Sequence, residues 1–509
     1  MLNIAAGVGG YALSVVLSLV NRMVFTRCLS AEYLGISGLF SNILGMLSLA
    51  ELGVSGAIVY ALYKPLAEND EEKIASLVRV FGAAYRAVGT FIGVAGLCLL
   101  PVLDRLIGEA PQIQESLHVI YLFFLFDAAG SYFFTYRSTL LMAAQKNYLV
   151  TGITYLFQCI MAVAQAVFLY TTRNYMDYLV IQVSCSMLTY ICISRIAVKQ
   201  YPYIARKGIK PLEPREKKKI FRDMRDLMAY NISGVLVNST DNLIITYFSG
   251  LITTGLASNY TLLTNTLSSL LKQIFNGLSS SVGNLNAVES EEKKFSMFQT
   301  TNLLNFWVFS WGTVGILFVS CDLVRLLFGE SYVLEFAIPA VLALNFYTVG
   351  MQNAMWIFKH TMGLFRYGRF VQMFTAGLNL VFSIILGQIW GLFGILFATF
   401  LARLLTNLWY DPYVIYRHAF GQNPFQYLKR YIFYLLILMV QIALSWIICM
   451  WIHISPLMDV LVKGFLVSAV SNGIFFLVFR KTPEFGVVRT TLSRIVQIVS
   501  HFFRKKHGC

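Results

Sequence analysis

Apolar runs alternate with short polar breaks over nearly the whole chain, and within each run the apolar positions are spread all round rather than striped. Runs of about 20 apolar residues match the thickness of a bilayer. Backbone groups in lipid must pair within their own segment, so each run is predicted to be a spanning helix. A β-barrel would instead show short alternating strands. Fourteen such runs centre near residues 15, 48, 92, 129, 160, 188, 237, 268, 312, 348, 380, 404, 441 and 469. The first, about Asn3 to Phe25, has no basic stretch before it and no A-x-A site, and reads as a retained helix rather than a signal peptide.

The pattern repeats. At an offset of 220 residues Asn21-Arg22 meets Asp241-Asn242, Thr26 meets Thr246, Gly35 meets Gly255, and Glu71-Glu72-Lys73 meets Glu291-Glu292-Lys293. After single-residue insertions Gly108-Glu109 meets Gly329-Glu330, and Arg137-Ser138-Thr139 meets Lys359-His360-Thr361. The near-constant register predicts two homologous halves, an organisation common among transporters. The expected fold is an all-α polytopic membrane protein of about fourteen transmembrane helices, with two six-helix bundles (1–200 and 226–418) joined by a basic linker (201–225). Two added transmembrane helices (419–480) and a basic amphipathic tail (481–509) follow.

Composition sharpens this picture. The 509 residues are 57% hydrophobic and 13% charged, against about 25% charged in soluble domains. The net charge of +15 concentrates in alternate loops: Arg206, Lys207, Lys210, Arg215, Lys217, Lys218 and Lys219 in the linker, then Arg417, Lys429 and Arg430, and Arg480 to Lys506 in the tail. Opposite loops carry Arg27, Arg105, Arg173 and Arg325. The asymmetry puts the basic loops and both termini in the cytoplasm. The basic loops suit anionic membrane lipids, and a nucleic-acid role is set aside. The eight cysteines are scattered, mostly inside apolar runs, without metal-ligand spacing, so no metal or other cofactor is expected.

No P-loop, H-E-x-x-H or G-x-S-x-G motif occurs, which argues against an ATP-driven pump and against an enzyme. The informative residues are charges inside helices, each costing roughly 3 kcal/mol at the bilayer centre unless it is paired or wetted. They are Arg22, Glu51, Arg86, Asp127, Arg137, Arg195, Asp241, Lys272, Lys359, Arg403 and Lys463. Arg137, Arg195 and Lys359 lie near helix ends and read as snorkelling side chains. Arg86, Asp127, Arg403 and Lys463 fit structural pairing or function equally. Arg22 and Asp241 hold related repeat positions with opposite signs, as do Glu51 and Lys272. These couples read as two gates that alternate around a central cavity, or as static pairs that fix packing. Arg22, Arg27 and Lys272 suit a phosphate, for which arginine offers a forked donor set. Asn42 and Asn238, with Asn259, Tyr260, Asn265 and Gln273, suit sugar hydroxyls or interhelical hydrogen bonds. Glu51, Asp127 and Asp241 are the carboxylates open to a coupling proton or sodium ion.

The run EYLGISGLFSNILGMLSLAELGVSGAIVYALYKPLAEND resembles the N-terminal signature of bacterial polysaccharide-biosynthesis flippases. These are the O-antigen-type (Wzx-like) members of the multidrug/oligosaccharidyl-lipid/polysaccharide exporter superfamily. The resemblance is specific over residues 15–80 and covers the rest through helix count, repeat and length. It implies two six-helix bundles in a V, alternating access, a cavity between helices one, two, seven and eight, and residence in the bacterial plasma membrane. It also implies that a lipid-linked oligosaccharide, held on an undecaprenyl diphosphate, is carried from the inner to the outer leaflet. Arg22, Arg27 and Lys272 lie on or beside the helices that line that cavity. The fourteen-helix count also resembles the lipid II flippase branch. A multidrug cation antiporter on the same fold is the rival reading, and it would favour acidic residues. A membrane glycosyltransferase would need a large extramembrane loop or an acidic cluster. A monomer suffices for the mechanism.

Overall fold

A computed structural model describes residues 2–48, 61–62, 65–66, 68–103, 113–144, 146–206, 211–288, 290–362, 364–367, 369–452 and 454–490. Among them the regular structure is helical throughout, and the all-α fold follows from the long apolar runs. In chain order the helices are α1 Leu2–Cys28, α2 Ala31–Leu47, α3 Glu71–Leu99, α4 Leu117–Thr135, α5 Ser138–Ala143, α6 Asn147–Thr172, α7 Tyr175–Gln200 and α8 Pro214–Val288. Then come α9 Glu291–Phe328, α10 Ala337–Met351, α11 Asn353–Thr361, α12 Arg369–Leu405, α13 Asn407–Val414, α14 Phe425–Cys449 and α15 Pro456–Phe479.

Two of these ranges each hold two spans. The helical path of α8 breaks at Gly250, with φ +80° and ψ 168°, and that of α12 breaks at Gly391, with φ +56° and ψ −133°. Glycine, which has no Cβ, adopts such backbone freely, whereas other residues do so only under strain. Hydrogen bonds across each break show that the chain reverses there. Thr246 and Thr254 share one at 2.9 Å. Asn379 donates to Thr399 at 3.0 Å and Thr375 to Thr406 at 2.7 Å. Counting the arms of these hairpins separately recovers the fourteen spans expected from the apolar pattern. Eight stretches among the described residues are long and apolar enough to cross a membrane by length and composition alone.

The helix starts keep the 220-residue register. α3 begins at Glu71 behind Asp70, whose side chain accepts from the Lys73 amide at 2.9 Å. α9 begins at Glu291 behind Ser290. Both first turns carry two glutamates, which favour the amide end of the helix.

The chain forms two compact units, Met1–Ser258 and Asn259–Cys509. In the first, α2 packs on α4 through Phe40, whose ring meets Tyr121 at 5.1 Å and Phe124 at 5.9 Å. Phe25 of α1 meets Tyr175 and Tyr178 of α7 edge-on at 5.9 and 5.2 Å. In the second, α14 and α15 pack against α9. Phe306 stacks on Tyr434 at 4.3 Å, Trp307 stacks on Phe475 at 4.9 Å, and the Trp307 and Trp311 indoles donate to Asn472 and Ser468. Indole donors need such partners once buried. Large apolar side chains such as Val163, Phe168, Phe465 and Leu477 point outward, as lipid-facing residues do.

Candidate functional site

The first unit gathers polar groups around Arg22. α1 is apolar over most of its length, so its two consecutive polar residues, Asn21 and Arg22, stand out on the helix. Asn21 donates to Gln165 of α6 at 2.8 Å and to the Tyr178 hydroxyl at 3.4 Å. Gln165 is buried and donates in turn to the Tyr178 carbonyl at 3.2 Å. Next to this group the Arg22 guanidinium donates to the Ser258 hydroxyl, and Ser258 donates to the Gly255 carbonyl at 2.6 Å. The geometry holds a half-buried cation at the inner face of α1 and orients it through neutral donors and acceptors.

The other sequence-selected residues fall in different places. Arg27 is exposed near the end of α1. Asn42 donates to its own helix, to the Gly38 carbonyl at 2.6 Å. Asp127 of α4 is half-buried and engages Ser186 and Gln182 of α7, with its Oδ1 buried beside them. Asp241 is half-buried in the first arm of α8. Glu51 lies outside the described residues, and so does the side chain of Asn238, although its backbone is helical. The tail beyond residue 490 is likewise outside them.

The second unit holds Lys272, half-buried on the second arm of α8. Its charged neighbour is another cation, Arg403 of α12. Among the described residues no carboxylate pairs with Lys272. Arg403 is buried and donates to Gln352 at 3.2 Å. Like charges within one membrane unit repel.

Two buried ion pairs in this unit are already compensated. Lys359 meets Asp411 at 2.5 Å and Lys463 meets Asp322 at 2.7 Å. Lys359 was expected to snorkel from a helix end. It is instead 6% exposed, because Asp411 supplies a buried partner. Lys463 resolves as structural pairing: it ties α15 to α9, where Asp322 also takes Arg325 at 2.9 Å. Sequence reasoning passed over Asp322, Asp411, Gln165, Tyr178 and Ser258. A usable signal existed for the two aspartates, since each interrupts an apolar run (FVSCDLVRLLF and NLWYDPYV) as sharply as the lysines did.

No family model matches the sequence, and no curated protein does either. Solved structures do match. One is the lipid II flippase MurJ in an inward closed conformation, with a TM-score of 0.64 at 15% identity over 94% of this chain and 100% of that one. Another is an inward-facing multidrug resistance MATE family transporter of the MOP superfamily, at TM-score 0.58 and 13% identity over 78% and 93% of the two chains. An outward-facing MATE transporter of the same superfamily matches at 0.53 and 14%, over 79% and 91%. This chain has the fold of those transporters.

Proposed function

We propose that the protein is a flippase of the MOP superfamily that moves an undecaprenyl-diphosphate-linked oligosaccharide from the inner to the outer leaflet by alternating access, for surface polysaccharide biosynthesis. The observation that carries this reading is Lys272, a half-buried cation in a membrane unit that feels the charge of Arg403 and has no paired carboxylate among the described residues. A diphosphate supplies the missing negative charge, and Arg22 offers a second, fork-shaped donor set. Arg27, Asn42 and Asn238 complete the substrate-binding set. The likeness to the lipid II flippase MurJ, over 94% of this chain, supports a lipid-linked substrate.

In this reading the halves 1–200 and 226–418 are the moving bundles and 419–480 is an appended pair of helices. The chain sits in a bacterial plasma membrane with both termini inside. Arg22 and Asp241, both in the first unit, are assigned to a gate. Asp127 is the carboxylate assigned to a coupling proton or sodium ion, because neutral Ser186 and Gln182 are its recorded partners. A multidrug cation antiporter is the competing reading.

Binding separates the two readings. The full chain in lipid nanodiscs would be titrated with a lipid-diphosphate oligosaccharide and with an organic cation such as ethidium. The flippase reading expects saturable binding of the lipid that weakens at least about tenfold, or about 1.4 kcal/mol, in Lys272→Ala and in Arg22→Ala. Tight binding of ethidium, with lipid binding unchanged in both variants, overturns it.

A further inference from the structure

The repeat puts a cation at the same point of each unit, where Arg137-Ser138-Thr139 meets Lys359-His360-Thr361. Each cation reaches a later helix of its own unit. Lys359 meets Asp411 of α13, and Arg137 donates to the Ser194 hydroxyl of α7 at 2.7 Å. The answering groups differ. Lys359 is buried against a carboxylate, whereas Arg137 has a neutral hydroxyl and the ring of its neighbour Tyr136, centred 5.2 Å from the guanidinium carbon. Among the described residues no carboxylate pairs with Arg137. A guanidinium carries five N–H donors, so the bond to Ser194 leaves a fork for an anion.

Arg137 stands at the start of α5 and Lys146 just past its end, about 9 Å along a six-residue helix. Lys146 has neutral partners too. It donates to Gln200 at 3.0 Å and lies 4.8 Å from the centre of the Tyr201 ring. Leu141 anchors α5 from within, packed with Val150, Ile193 and Ala197. Met142, the next residue, is 43% exposed. The elbow therefore shows an apolar side chain outward between two half-buried cations. In the proposed topology it joins α4 to α6 on the cytoplasmic side, at the level of the inner headgroups. A phospholipid offers both counterparts there, a phosphate for the cations and a chain for Met142.

We infer that this elbow binds the phosphate of an inner-leaflet phospholipid, held by Arg137 with Lys146 as the second cation. The inference rests on the membrane reading and its orientation, not on the transported substrate. The lipid gives the first unit the negative charge that Asp411 gives the second, where Lys359 is already answered.

The test is lipid retention by the full chain in detergent, titrated with phosphatidylglycerol and read by native mass spectrometry. The wild type retains a tightly bound lipid, and Arg137→Gln weakens it at least about tenfold through loss of a charge-assisted contact. Ser194→Asp keeps the cation but supplies the carboxylate that the second unit has, and it weakens the lipid as much. Arg480→Gln, at an exposed cation just past α15, leaves retention unchanged. Equal retention in wild type and Ser194→Asp overturns the site whether or not Arg137→Gln folds. Displacement by excess inorganic phosphate also overturns it, since the occupant is then a soluble anion. Displacement by an equimolar lipid-diphosphate oligosaccharide overturns it in favour of the transported substrate.

Discussion

At the residue scale the buried charges divide by partner. Lys359 and Asp411 have side-chain exposures of 7% and 1%, and Lys359 is the cation recorded on Asp411. Asp322 has two cations, Lys463 and Arg325. Removing one partner of a buried pair costs about 3–5 kcal/mol when the other charge is stranded. Lys359→Met is therefore expected to destabilise by that amount, and Lys463→Met by less, because Arg325 stays on Asp322. Thermal unfolding in detergent measures both, and Lys359→Met with Asp411→Leu should recover much of the loss. Equal losses for the two single variants would contradict the assigned pairing. These partners were illegible in the sequence for a plain reason: Lys359 and Asp411 are 52 residues apart, and Lys463 and Asp322 are 141 apart. Apolar runs reveal that a charge is buried, not which helix answers it. Asn42 teaches the converse, since a polar residue chosen for sugar hydroxyls bonds its own helix one turn back.

At the element scale the spans were readable because each apolar run had bilayer length and each break a polar or glycine signal. The fourteen centres fall inside helices or, for the second, at the edge of the described part of α2. The reversals at Gly250 and Gly391 were less readable, since the chain turns there with almost no loop. Gly391, at φ +56° and ψ −133°, sits where only glycine is comfortable. Gly391→Ala is expected to cost about 1–3 kcal/mol, read as a lower Tm, whereas Gly377→Ala, mid-arm and with open space around its Cβ, should be neutral or mildly stabilising. An unchanged Tm in Gly391→Ala would contradict a strained reversal. Charge pairs tie the stretch before α8 and its first turn to α3: Lys73 meets Glu216 at 2.8 Å and Arg206 meets Glu71 at 3.3 Å, all well exposed. Such pairs contribute little individually, so Glu216→Gln should shift Tm only slightly.

At the scale of the molecule, lysine and arginine asymmetry sets the expected topology. Thiol labelling from outside intact cells should reach cysteines placed near Arg173 and Arg325 and should miss cysteines near Arg215 and Lys481. The reverse pattern would invert the orientation. The repeat carried the whole-molecule reading: its 220-residue register reappears in the starts of α3 and α9. The proposed movement of a lipid diphosphate is measured directly by flipping in proteoliposomes. A lipid-diphosphate oligosaccharide would be loaded in both leaflets, and its sugar would be probed from outside with an impermeant lectin or glycosidase. Protein-dependent exchange that Lys272→Ala and Arg22→Ala abolish, with both variants folded and inserted, is the predicted result. An inert wild type that instead moves organic cations, or full flipping by both variants, would contradict the account.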